Sequence, residues 1–327
     1  TFIAGVVDTV GSVLVDAKGD GTTAGTFTMN ANITTQGNFE NNGQLNLNAN
    51  LTTANTDASA DTNGDFINNG TTTLIADRTV TTAGGLVGST SGIINVNNSG
   101  TDLTLNQTGT STYSGKIQGV GSFIKEGAGN LTLNGIAGSV DLGTTNSSTG
   151  TFVNEGTLTT ASANVFAADQ DITVNTDGTL HVKTGAQSVD KITNSGTVNL
   201  DQDLTVRVLT NNVSGTFNQQ ADINSTNAIM NGNWDVKGNR VLNTVTLTGD
   251  ANVTLAEYLT INQSGTSTFD GSIAGTGSVE KTGSGVLKIS DAQTFTGGLN
   301  VTGGTFETVS GGTLADTNAV HVYKDST

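Results

Sequence analysis

Apolar and polar residues alternate along most of the chain in short phrases, such as L-N-L-N-A-N-L from Leu45 to Leu51, N-L-T-L from Asn130 to Leu133 and L-T-V-R-V-L from Leu204 to Leu209. A period of two turns one side of a strand inward and leaves the other in water. One phrase recurs as G-x-[FI]-x-N-x-G-x-[LV]-x-[LI]: GNFENNGQLNL (Gly37 to Leu47), GDFINNGTTTL (Gly64 to Leu74) and GTFVNEGTLTT (Gly150 to Thr160). Its Asn-Gly pair turns the corner between two strands. Strands this short, returning about every 20 residues with no helix-period segment between them, predict an all-β parallel β-helix, a β-solenoid of about 16 coils. At a spacing of about 4.8 Å that stack would be near 75 Å long. An antiparallel β-sandwich pair is the competing architecture, because Asn-Gly also closes hairpins. The short period and few aromatic residues favour the solenoid.

A longer repeat overlies this rhythm. LTLNQTGTSTYSGKIQGVGSFIKEGAGNLTL, from Leu103 to Leu133, returns without a gap from Leu259 to Ile289, with 17 of 31 positions identical. Further echoes pair Asn38–Thr53 with Lys191–Val206, Gly25–Met29 with Gly178–Val182, and the GDF at Gly64 with the GTF at Gly215. The GTF at Gly150 likewise echoes that at Gly304, and Thr157-Leu158 echoes Thr313-Leu314. Two tandem units of about 155 residues follow, residues 1–165 and 166–327, stacked continuously, with loop insertions near 16–24 and 55–65 in the first. The tail from Asp316 resembles the junction around Ala163, as though a third unit were starting.

Composition narrows the class. The hydrophobic fraction is 34%, low for a compact globule, and 44 Gly with no Pro suits strands linked by tight corners. A net charge of −16 with only 12 Lys plus Arg argues against nucleic acid as a partner. The absence of Cys fits an exported protein without disulfides. No apolar run is long enough for a transmembrane helix, so no membrane insertion of this chain is expected. No charged start precedes an apolar run, so a signal peptide is expected to have been removed or never to have been part of this chain.

Gly119–Gly135 and Gly275–Phe306 resemble the passenger-associated transport repeat of bacterial autotransporters. The second segment follows the pattern through Gly275, Gly277, Val279, Lys281, Gly283, Gly285, Leu287 and Ile289, and then through Phe295, Gly297, Leu299, Val301, Gly304 and Phe306. The first loses its second half, where IAGSVDLGTTNSS stands. The resemblance implies a right-handed parallel β-helix displayed on, or released from, the surface of a diderm bacterium. Autotransporters end in a membrane barrel, whereas this sequence ends KDST.

The candidate chemistry is sparse. Asp61, Asn63 and Asp65 resemble the first half of a calcium loop, but the position for its closing acid is Thr72. Asp16, Lys18 and Asp20 make a poorer version. Calcium is the one cofactor this suggests. His181 and His321 lie in strand phrases without metal-ligand spacing. Ser111 and Ser267 sit in GTST without the Pro, Asp and His motifs of a subtilisin-type protease. The DQD phrases at Asp169–Asp171 and Asp201–Asp203 place two carboxylates on one strand face, a pair a glycosidase could use, but the other motifs of pectin-degrading β-helices are missing. Phe39, Phe66, Phe152, Phe217 and Phe306 are expected to stack inward as ladders.

The sequence therefore predicts a non-enzymatic extracellular structural protein or adhesin that stacks head to tail into a fibre. The alternatives are a monomeric passenger that binds a host or neighbouring-cell glycan or protein, and a polysaccharide-active enzyme.

Overall fold

In the structure, a computed structural model, residues 2–4, 8–16, 26–56, 63–142, 149–323 and 326 are described. They form strands, bends and turns without a helix, and successive strands pair in parallel to make a β-solenoid of about 14 turns. The described pairings contain no antiparallel hairpin, so the sandwich is excluded. By compactness the chain divides into two units, residues 1–173 with 177–180, and residues 174–176 with 181–327.

Each turn of the first unit contributes one strand to each of three ladders. One ladder runs from Phe2–Ala4 through Thr26–Met29, Gln44–Leu47, Thr71–Leu74, Ile93–Val96 and Lys116–Gly119 to Val140–Leu142. The next contains Ile33–Thr35, Leu51–Thr53, Arg78–Thr82, Asp102–Gln107 and Ser122–Glu126. The third joins Val13–Val15, Phe39–Asn41, Phe66–Asn68 and Leu86–Val87, then resumes with Thr110–Tyr113 and Asn130–Leu133. The second unit repeats the plan. Its first ladder runs from Thr197–Leu200 through Thr216–Gln219, Asn233–Val236, Asn252–Leu255 and Ser272–Gly275 to Ala292–Phe295.

The alternation seen in the sequence is the inside–outside alternation of these ladders. Leu45, Leu47, Leu51, Leu103, Leu105, Leu131 and Leu133 are buried, while Asn46, Asn48, Asn50, Thr104 and Thr132 between them are at least partly exposed. Each large aliphatic side chain taken out of water contributes about 1.5–3 kcal/mol, and only a neighbouring rung can cover it.

Corners bury polar groups, and these hydrogen-bond from rung to rung. Asn41 Nδ2 donates to Asn68 Oδ1 at 2.9 Å, and Asn68 Nδ2 to Tyr113 Oη at 3.1 Å. In the second unit Asn194 Nδ2 donates to Asn211 Oδ1 at 2.8 Å. All four Asn side chains are fully buried. Phe39 and Phe66 stack edge to face with ring centroids 6.0 Å apart, and Phe217 is buried as expected. Phe152 is not an inward residue: it pairs with Ile124 on the outer side of its ladder and is half-buried. Phe306 sits in register with the buried Leu287, but no described strand follows it in the ladder, so it is half-exposed.

The turn count falls below 16 because rung length differs between the units. One rung takes 27 residues from Asn41 to Asn68, whereas 17 suffice from Asn194 to Asn211. Between the buried Asn41 and Thr110–Tyr113 the third ladder makes three steps. Between the equivalent Asn194 and Thr266–Phe269 it makes four. The second unit thus winds an additional rung from a nearly equal length of sequence. Short echoes were misaligned for the same reason. Phe66 belongs to the third ladder but Phe217 to the first, so GDF and GTF occupy different faces. Thr151 and Phe152 lie in the second ladder while Thr305 and Phe306 lie in the third. Thr157-Leu158 lies in the third and Thr313-Leu314 in the first.

Candidate functional site

The long repeat is structurally faithful. Its two copies give strands Asp102–Gln107 and Tyr258–Gln263, Thr110–Tyr113 and Thr266–Phe269, Ser122–Glu126 and Ser278–Thr282, Asn130–Leu133 and Val286–Ile289. Inside both copies lies the same polar apparatus. Gln107 Nε2 donates to the carbonyls of Gly109 and Asn130 at 3.0 and 2.9 Å, and Gln263 Nε2 to those of Gly265 and Val286 at 2.9 and 3.2 Å. Ser111 and Ser267, raised as nucleophiles, are the buried partners of these glutamines, at 3.2 and 2.7 Å from Nε2.

Lys125 and Lys281 are fully buried cations that the sequence pattern shows only as conserved spacing between its two copies. The Nζ of Lys125 donates to the carbonyls of Glu126, Gly127 and Glu155 at 2.7, 2.6 and 3.2 Å. Lys281 Nζ donates to those of Thr282, Gly283 and Gly303 at 2.6, 3.3 and 3.4 Å. Gly127 and Gly283 turn the chain at φ of +73° and +77°, a backbone that other residues rarely adopt. Burial disfavours the ammonium and lowers both pKa values to about 8; Glu155 and Glu126 pull against that at Lys125.

The DQD aspartates do not share a strand face. Asp201 and Asp203 occupy the corner between Thr197–Leu200 and Leu204–Asn211, and Asp169 lies in a turn before Asp171–Val182. Corners leave backbone N–H groups without ladder partners, and Asx side chains accept them. Asp203 Oδ1 accepts from Asp222 N at 3.1 Å, and Asp222 Oδ1 from Val241 N at 2.9 Å. Asn32, Asn50 and Asp77 do the same in the first unit, each at 3.0 Å. Asp201 instead contacts His181 Nε2 at 2.8 Å and Gln220. His321 is exposed beside Asn300 in its ladder.

Of the calcium-loop residues, Asp61 lies outside the described residues, as do Lys18 and Asp20. Asn63 and Asp65 are described. Asp65 is only 9% exposed. Burial raises its carboxyl pKa, while hydrogen bonds from the Gly85 N–H and the Asn63 side chain oppose the rise. Its carboxylate thus has one backbone and one side-chain donor. No cluster of three or more His, Cys, Asp or Glu suited to a metal occurs among the described residues.

Asp65 lines a groove of about 680 Å³ that crosses three rungs, with Asn55, Asn63, Val87, Thr110 and Thr112. Here the third ladder is nearly interrupted, since Leu86–Val87 and Thr110–Tyr113 meet at the single bridge between Gly88 and Tyr113. The second unit has the same interruption between Gly249 and Phe269. There Ser267 Oγ accepts from Leu247 N at 3.1 Å, and Thr246 Oγ1 donates to Asn227 Oδ1 at 2.8 Å. Counting back from the two bridges, Val245 and Thr246 correspond to Gly84 and Gly85 in the first unit. A Cβ on Gly84 would stand 2.0 Å from Asp65 Oδ1, and one on Gly85 2.3 Å from Ser111 Oγ. A side chain on Gly84 would therefore crowd the groove at Asp65.

The fold and these interior ladders define a parallel β-solenoid. Comparison of the chain with protein families, with curated proteins and with solved structures gave no match.

Proposed function

We propose that the chain is a non-enzymatic structural protein of the bacterial cell surface whose rungs continue, head to tail, into further copies. The observation that carries this is the rung Val320–Val322. Val320 and Val322 pair in register with the buried Leu299 and Val301, yet are 48% and 57% exposed. In earlier rungs of that ladder the same positions, such as Leu259, Ile261, Val279 and Lys281, are buried. Tyr323 beside them is 55% exposed. Such core positions are buried wherever a further rung stacks on them, whether from a continuation of this chain or from another copy.

Two further features support a mechanical role. The buried polar side chains of the Asn ladder and the lysine cages are engaged inside the stack, by one another and by backbone carbonyls of their own and the next rung. Asp201 and Asp203, candidates for chemistry, are engaged at a corner. Surface display is supported by the transport-repeat pattern from Gly275 to Phe306 and by the acidic charge.

Light scattering after size exclusion and negative-stain electron microscopy over a concentration series test the proposal. Assembly should grow with concentration and be suppressed by Val322→Lys, which places a charge on the uncovered rung. A monomer at every concentration, or assembly indifferent to Val322→Lys, would overturn it.

A further inference from the structure

The groove beside Asp65 is unlike the rest of the surface. At the matching place in the second unit Val245 and Thr246 stand where the first unit has Gly84 and Gly85, and Leu247 N donates to Ser267 Oγ. Gly84 lines it on one side, and Asn55, Asn63 and Asp65 line it from the neighbouring rung.

Its chemistry limits what fits. The described lining contains no Lys, Arg or His, and its one ionisable group is a carboxylate, so an anion would be repelled. A divalent cation such as calcium prefers roughly six to eight oxygen ligands, several of them charged. Asp65 is the single carboxylate of the lining. Amides and hydroxyls make up most of the remaining polar wall, which suits a neutral ligand dense in hydroxyl groups. The carboxylate accepts from neighbouring hydroxyls, the Asn55 and Asn63 amides both donate and accept, and the exposed Thr110 and Thr112 hydroxyls add two further partners. Ala83 and Val87 supply an apolar wall for the C–H face of a sugar ring. A volume of about 680 Å³ falls within the usual range for small-ligand sites and is large enough for a short oligosaccharide.

We propose that this groove binds a neutral saccharide, with Asp65 and the Asn55, Asn63, Thr110 and Thr112 side chains reading its hydroxyl groups. The site is independent of end-to-end assembly, because it lies wholly on the first unit.

Saturation-transfer NMR and titration calorimetry of the full chain test it, using maltotriose, cellotriose, mannotriose and chitotriose as probes. At least one should bind with millimolar or better affinity. Asp65→Asn, which preserves shape, should weaken that binding by about tenfold or more through loss of the charged acceptor. Gly84→Ala, which pushes a methyl group against the carboxylate, should abolish it. Val322→Lys should leave it unchanged, which separates this site from assembly. Circular dichroism establishes that the variants are folded, and Asp65→Asn keeps the test valid should Gly84→Ala misfold. Failure of all four saccharides to bind, or binding that survives Asp65→Asn, would overturn the proposal. So would Asp65-dependent binding of calcium with no saccharide signal.

Discussion

Replacing Lys125 with methionine keeps most of the buried stem and removes the donor from three carbonyls. Two of those contacts are short, 2.7 and 2.6 Å, and the third is 3.2 Å. A buried carbonyl left without a donor costs about 1–3 kcal/mol, partly recovered where water can enter, so a loss of about 2–4 kcal/mol is expected. Lys281 makes one short contact, at 2.6 Å, and two longer ones, and Lys281→Met should cost about half as much. Urea unfolding at pH 7 measures both. The pH dependence is the sharper test. Both lysines have folded pKa values lowered to about 8 from an ordinary 10.5. Between those values the unfolded chain holds more protons than the folded one, so stability from these groups rises with pH through that window and is flat below it. A neutral amine still donates two hydrogens, so the cage persists after deprotonation. Wild type should therefore gain on a Lys125→Met, Lys281→Met double variant as pH climbs from about 8 towards 10.5. A gap that narrows over that range would show that the carbonyls select the ammonium and that the reasoning about burial is wrong.

Three further outcomes follow from the interior ladders. Asn211→Ala removes an acceptor from Asn194 and a donor to Asn233 O at 3.0 Å, and should cost about 2–4 kcal/mol in urea unfolding. Trp234, the single tryptophan, is 1% exposed and donates to Gln219 Oε1 at 3.0 Å; its emission should be blue-shifted when folded and move red on unfolding, and Trp234→Phe should cost about 1–2 kcal/mol. Ser267→Ala should destabilise more than Ser111→Ala, by about 1 kcal/mol, because Ser267 also accepts from the Leu247 backbone; equal losses would mean that bond carries no weight.

The long repeat could be read in register because its 31 positions contain no insertion. Gln107 and Gln263, Ser111 and Ser267, and Lys125 and Lys281 therefore land in matching places. The short G-x-F echoes could not, because every ladder needs the same alternation and a phrase of three residues does not say which face it serves. Phe152 shows this: its spacing resembles that of Phe39, but it lies on the outer side. The DQD phrases resembled paired catalytic acids because strand bounds were unknown, and moving them into a corner turns them into caps. The extra rung of the second unit is hidden in the sequence by nearly equal repeat lengths. The groove had no sequence signal at Asp65 beyond a partial calcium phrase. Its defining feature is the absence of side chains at Gly84 and Gly85, which only the comparison of the two units reveals.

The central claim is parallel rung-on-rung register, and the lack of native cysteine allows a direct measurement. Asn243 and Asn262 are register partners in one outward column, joined by a 2.8 Å hydrogen bond between their side chains, close enough for a disulfide. Asn243→Cys with Asn262→Cys should form an intramolecular disulfide rapidly under mild oxidation, whereas Asn243→Cys with Thr260→Cys, two residues out of register on the same face, should not. Equal crosslinking of both pairs, or of neither, would contradict the solenoid register.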